Sequence, residues 1–289
     1  MNNLFHWSPR GIEHYGYHST LLNQIRLVDP YARIYTPNKS YGGIARKETS
    51  MSIAISLKGK DGMILATDSR IAAQTPLGTA RTHVDGVVKL WAINNKLCIA
   101  SVGNIAGYEA RIVDIFKRKL LDREIKDTGF NQLVEGFAEC LKEDWDKWTK
   151  GVDLRSAVSY YVEFVLAGYD QQGQQTIERI FWDYEQRIFA AKLIMRYWYA
   201  TGIPFVVEYW MKKLENYLPS ATDQALKKIG SFLISESAIE FDGIGGAIQM
   251  ALIKKDVGLQ LIGKEETETL LKHIESKTES NLIQVLTED

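Results

Sequence analysis

Residues 50–70 read SMSIAISLKGKDGMILATDSR, and the pattern of this stretch decides the fold class. Ile53, Ile55 and Leu57 alternate with Ser52, Ala54 and Ser56, so the two sets face opposite sides of an extended strand. Asp61-Gly62 supplies a tight reversal, and Met63-Ile64-Leu65-Ala66 returns as a mostly apolar partner. A hairpin accounts for all of this. It does not account for Asp68 and Arg70, two charged residues that close an apolar strand.

Further along the chain the hairpin pattern recurs. GVVKLWAI (86–93) and KLCIASVG (96–103) flank Asn94-Asn95, a pair that tolerates turn geometry. Two helical patterns follow. Ile105, Tyr108, Ile112, Ile115, Phe116 and Leu120 recur at spacings of three and four, as do Phe130, Leu133, Val134, Phe137, Leu141, Trp145 and Trp148. A third strand pair, YYVEFVLAGYD (160–170) and QTIERIFW (175–182), precedes a β segment at 185–201. Gly202 and Pro204 then open a second helix pair, about residues 204–217 and 222–239. A last hairpin, AIQMALIKK (247–255) and GLQLIG (258–263), leads into a charged C-terminal helix.

Strands grouped as hairpins imply antiparallel sheets rather than βαβ alternation. Two sheets that each need one face covered, with two helix pairs to cover them, predict an α+β four-layer αββα sandwich. Residues 1–51 have weak periodicity and are rich in Tyr, His, Asn and Pro. They read as an N-terminal extension or propeptide, and residues 52–289 as the folded domain.

Composition narrows the function. Of the 289 residues 45% are hydrophobic and 25% charged, and the net charge is −1. That balance argues against nucleic acid as a partner, because neutralising phosphates needs a basic excess. No apolar run approaches the roughly 18 residues that span a bilayer. The first 20 residues lack the apolar core of a secretory signal. With Cys98 and Cys140 in apolar contexts, a reducing, cytoplasmic location is expected. His6, His14, His18, His83 and His273 have no metal-ligand spacing, and GIGG (243–246) lacks a phosphate-loop context, so neither metal nor cofactor is expected. Trp145, Trp148, Tyr209 and Trp210 give the helices more aromatic surface than one sandwich needs, which predicts self-association.

Five stretches taken in order resemble one family. The run from Ser52 to Arg70, then VVKLWAI, ASVGNIAGYEARI, VLAGYD and EFDGIGGAIQMALI, is similar to the proteasome subunits among the N-terminal nucleophile (Ntn) hydrolases. The resemblance spans about residues 52–262. It implies the Ntn sandwich fold and places Ser52 at the nucleophile, where most active members carry Thr. Asp68 then matches the active-site aspartate, Arg70 the arginine after it, and Lys89 the site lysine. Gly103 matches the glycine whose backbone N–H forms the oxyanion hole. Thr201 falls on a serine beside the nucleophile and Asp242 on an aspartate that orients it. The implied activity is peptide-bond hydrolysis on peptides or unfolded proteins inside a homo-oligomeric ring, with other subunits of that type or an ATPase as further partners.

The residue types suit that chemistry. A Ser hydroxyl is a weak nucleophile until a base takes its proton, and in this family the base is the α-amine of the same residue. A buried lysine lowers that amine's pKa, and an aspartate holds the lysine in place. Three departures are visible: Ser52 in place of Thr, Met51 where self-processing members carry Gly, and Gly245 where they usually carry Ser. The family also contains non-catalytic ring and gating subunits with long N-terminal extensions. A third reading, an Ntn amidohydrolase acting on a small amide, uses the same residues.

Overall fold

The stretch that opens the domain folds as the hairpin its alternation predicts: β1 (Ile53–Lys58) pairs antiparallel with β2 (Gly62–Thr67). The computed structural model describes residues 52–74, 81–103, 107–125, 129–148, 161–183, 186, 188–202, 204–275 and 279–287. All of these belong to one unit, Lys47–Asp289. The expected extension, residues 1–51, lies outside the described residues.

After β2 come β3 (Ile71–Gln74), β4 (Arg81–Val84), β5 (Leu90–Ala92) and β6 (Leu97–Gly103), then helices α1 (Tyr108–Leu121) and α2 (Phe130–Trp148). Strands β7 (Val162–Tyr169), β8 (Gln175–Asp183), β9 (Ile188–Ile194) and β10 (Trp198–Gly202) follow, then α3 (Phe205–Leu214) and α4 (Asp223–Glu240). The chain closes with β11 (Gln249–Lys254), β12 (Gly258–Ile262), α5 (Lys264–Glu275) and α6 (Glu279–Thr287). Among the described residues the fold is mixed α+β, with six α-helices and three antiparallel sheets. No helix among them is long and apolar enough to cross a membrane.

The two five-stranded sheets run β10-β1-β2-β11-β12 and β5-β6-β7-β8-β9, and β3-β4 forms a separate two-stranded ribbon. Both large sheets bury both faces of their central strands. On the first, Ile53, Ile55, Leu57, Ile64, Ala66, Met250 and Leu252 pack with Val207, Met211, Leu226, Ile229 and Leu233 of α3 and α4. On the second, Leu97, Ile99, Phe164 and Leu166 pack with Ile112, Phe116, Phe137 and Trp145 of α1 and α2. The remaining faces meet each other through Ala54, Met63, Leu65 and Ala251 from the first sheet and Cys98, Ala100, Val165 and Ala167 from the second. Many of these are small side chains, which lets the two backbones approach closely. Full burial of each large aliphatic residue contributes about 1.5–3 kcal/mol.

Local signals set the joints. Asn94 Oδ1 accepts from the N–H groups of Lys96 (2.8 Å) and Leu97 (2.9 Å), which makes the β5–β6 turn. Thr222 caps α4 by accepting from Ala225 N at 3.2 Å.

Three expectations need correction. The β3–β4 ribbon was not foreseen, because its four-residue strands carry no alternating apolar pattern. The single C-terminal helix is two, α5 and α6. The aromatic argument for self-association also loses its footing. Trp145 (1% exposed) and Trp210 (6%) are buried in the chain's own core, and Tyr209 packs against that core. The side chain of Trp148 lies outside the described residues.

Candidate active site

Register alone brings the first two candidates together. Ala54 sits opposite Thr67, so the next step outward carries Ile53 towards Asp68, and Ile53 N donates to Asp68 Oδ1 at 3.1 Å. Ser52 therefore lies at the mouth of β1 and is almost fully buried. Asp68 directly follows β2 and has no exposed surface. Its second oxygen accepts from Arg70 N at 3.1 Å and Gly245 N at 3.4 Å. Three backbone donors hold the carboxylate before any charge faces it.

The charge comes from the other sheet. Lys89 stands immediately before β5, and its Nζ donates to both Asp68 oxygens at 3.0 Å, to Ser52 Oγ at 3.0 Å and to the Arg70 carbonyl. Lysine and aspartate are both buried. Burial is the largest influence on each: it raises the pKa of Asp68 and lowers that of Lys89, and each charge opposes the shift of the other. Both groups are thus drawn towards their neutral forms. A lysine with a lowered pKa, in contact with a serine hydroxyl, can exchange a proton with it.

Arg70 works through its backbone at this centre. Its guanidinium turns outward to Asp85 (2.8 and 3.1 Å) and to the Asp242 carbonyl (3.1 Å), which ties the root of the β3–β4 ribbon to the loop before β11. Asp242 differs from expectation. Its carboxylate points to His83 Nε2 at 3.4 Å and is largely exposed, so it contributes its backbone to the site and not its acid. Thr201 pairs with Ala54 across β1–β10, and its hydroxyl is engaged with Tyr161 OH at 3.1 Å.

Two glycines close the mouth. Gly202 (φ +93°) lies so near Ser52 that a Cβ there would sit 1.9 Å from the Ser52 carbonyl oxygen and 3.0 Å from Val102 Cγ1. The end of β6 is thereby brought beside Ser52. At Gly103, the last residue of β6, a Cβ would fall 2.5 Å from Glu109 Oε1 and 2.8 Å from the Tyr161 carbonyl.

Sequence reasoning missed three groups. Glu109, in the first turn of α1, has its pKa pushed up to about 7 by burial, against the pull of its own backbone N–H and of Lys89. Glu163, buried on β7, accepts from Tyr161 OH (2.7 Å) and from Tyr199 OH, with Arg179 at 3.9 Å. This network joins the second sheet to β10. Gln249 bonds the backbone around Lys89. Its only sequence signal is a lone amide inside an apolar strand.

Among the described residues no cluster of His, Cys, Asp and Glu could hold a metal ion. Comparison of the chain with protein-family models and with curated proteins gives no match.

Proposed function

We propose that the chain is a hydrolase of the N-terminal-nucleophile type, with the αββα sandwich and peptide-bond chemistry of proteasome-like subunits. The observation that carries this reading is the contact of Ser52 Oγ with Lys89 Nζ at 3.0 Å, the lysine being held in turn by Asp68 at 3.0 Å. The fold reading is supported by the core clusters, which put helices outside and two facing sheets inside.

The proposed reaction proceeds through the unprotonated fraction of Lys89, which burial favours against the ion pair with Asp68; that amine takes the Ser52 hydroxyl proton as Oγ attacks the carbonyl carbon. This differs from the expectation that the α-amine is the base, because the lysine touches the hydroxyl directly. The carbonyl oxygen becomes an anion. A backbone N–H at Gly103 is the candidate donor to it, and one such donor contributes roughly 3–4 kcal/mol. Lys89 passes its proton to the leaving amine, the acyl group stays on Oγ, and water then releases it. Peptides or unfolded proteins are the proposed substrates, and a ring of like subunits the proposed assembly.

A second reading, a non-catalytic ring or gating subunit, is favoured by the 51 residues ahead of Ser52 and by Met51 immediately before it. Two mass measurements separate the readings. An intact mass lacking residues 1–51, with an acyl adduct on Ser52 after treatment with a β-lactone, supports the enzyme. A full-length, unlabelled chain overturns it in favour of the scaffold.

A further inference from the structure

Lys89 is poorly supported by its own sheet. β5 has three residues and lies at the sheet's edge, with β6 as its single neighbour. In an extended strand consecutive N–H groups point to opposite sides. Here the N–H groups of Lys89 and Leu90 converge on one acceptor, Gln249 Oε1, at 2.9 and 3.1 Å. The same amide donates through Nε2 to the Val87 carbonyl at 2.6 Å. Gln249 opens β11 in the other sheet, opposite Thr67 and so one residue from Asp68. On the remaining side, Ser101 N donates to the Lys89 carbonyl at 2.9 Å and Val87 N to the Ser69 carbonyl at 3.0 Å.

We propose that Gln249 is a positioning residue: its side-chain amide fixes the backbone of residues 87–90 so that Lys89 reaches Ser52 and Asp68 together. This rests on the reading of Ser52 and Lys89 as the reacting pair. The logic is geometric. The lysine stem has four rotatable bonds and its Nζ must meet partners on a different sheet, so the position of its Cα decides whether the contacts form. Two consecutive N–H groups sharing one acceptor break the strand pleat at Lys89, and a neighbouring strand's carbonyls cannot reproduce that arrangement. A side-chain amide, with an acceptor and a donor side by side, can. The fit ties the lysine to the strand that pairs with the aspartate's own strand.

The test uses the full chain and the variants Gln249→Met, which keeps the bulk and loses all three bonds, and Gln249→Glu, which keeps the acceptor. Amide hydrogen exchange at Lys89 and Leu90 reads the clamp without reference to reactivity. The expected result is exchange at least tenfold faster in Gln249→Met and near wild type in Gln249→Glu. The lysine side-chain NMR titration of Lys89, which is flanked by Asp68, Glu109 and Asp85, should move towards the ordinary lysine value in Gln249→Met. Acylation of Ser52 by a β-lactone should fall about 100-fold in Gln249→Met, as expected for a displacement near 1 Å, and recover at least tenfold in Gln249→Glu. Unchanged exchange at Lys89 and Leu90 in Gln249→Met overturns the proposal, as does an unchanged lysine titration. A wild-type chain that is never acylated overturns the reading of Ser52 instead, and the exchange data then decide the role of Gln249.

Discussion

Replacing Lys89 by Met keeps most of the stem's bulk and deletes one charge, which isolates the buried ion pair. Asp68 has no exposed surface and meets Nζ at 3.0 Å through both oxygens. At an effective dielectric constant of about 20, two unit charges 3 Å apart attract by roughly 5–6 kcal/mol. The N–H groups of Ile53, Arg70 and Gly245 remain, so part of the carboxylate's support survives. Breaking a buried pair typically costs about 3–5 kcal/mol, and about 3–4 kcal/mol is expected here at pH 8. For a domain of this size that is a fall of roughly 6–16 °C in Tm. The pH dependence has a definite sign. Burial already raises the pKa of Asp68, and Lys89 is the main charge opposing it, so the variant's Asp68 binds its proton more tightly still. An acid whose folded pKa is raised destabilises the fold above that pKa and ceases to do so as pH falls through it. The loss should therefore be smaller at pH 5 than at pH 8. Urea titrations at the two pH values measure it, and the double variant Lys89→Met/Asp68→Asn should recover much of the pH 8 loss. A loss below about 1 kcal/mol at pH 8, or one of equal size at both pH values, would refute the buried pair.

Glu109→Gln should stabilise the protein at pH 8 and leave it nearly unchanged at pH 4.5. Burial pushes the carboxyl's pKa from its ordinary 4.5 up to about 7, so about 3 kcal/mol is lost from the wild type as pH climbs through that window; equal stability of the two proteins at pH 8 in chemical denaturation contradicts this. Gly202→Ala forces a Cβ to 1.9 Å from the Ser52 carbonyl oxygen at a left-handed φ, so a loss of about 3–5 kcal/mol is expected, and a variant as stable as wild type would show that β10 and β1 are less close than described. Asp85→Asn should change stability by less than about 1 kcal/mol, because its partner Arg70 is an exposed-side contact and Asp85 is 49% exposed; a thermal shift of more than about 4 °C would mean that the ribbon's root is worth more than its exposure implies.

Much of this was legible along the chain wherever periodicity speaks. The alternation of Ile53, Ile55 and Leu57 predicted the strand and the division of its side chains between two faces, and the Asn94-Asn95 pair predicted the turn of the next hairpin. Asp68 stood out as a charge closing an apolar strand, and the resemblance supplied its expected site role and that of Lys89; the folded chain brings the two into contact. Side-chain direction was not legible. The resemblance put Asp242 at the site, but its carboxylate meets His83 while its carbonyl accepts from Arg70. Gln249 was invisible for a related reason: its partners are backbone groups some 160 residues earlier, and no local pattern encodes an acceptor for a distant N–H. Trp145 and Trp210 were misjudged as surface because a helix period shows which residues share a face, not whether that face already has a partner.

The order of strands in the first sheet has a consequence in time. Ser52 and Asp68 emerge early in synthesis, yet β2 pairs with β11, and Asp68 takes a hydrogen bond from Gly245, 177 residues later. Lys89 likewise waits for Gln249. At roughly 5–20 residues per second, a ribosome needs about 10–35 s to cover that interval. Throughout it the nascent chain carries the hydroxyl without the strand that completes its surroundings. A chain released before β11 is made lacks the Gly245 N–H that Asp68 accepts and the Gln249 amide that holds the backbone of Lys89, so the surroundings of Ser52 are completed only near the end of synthesis.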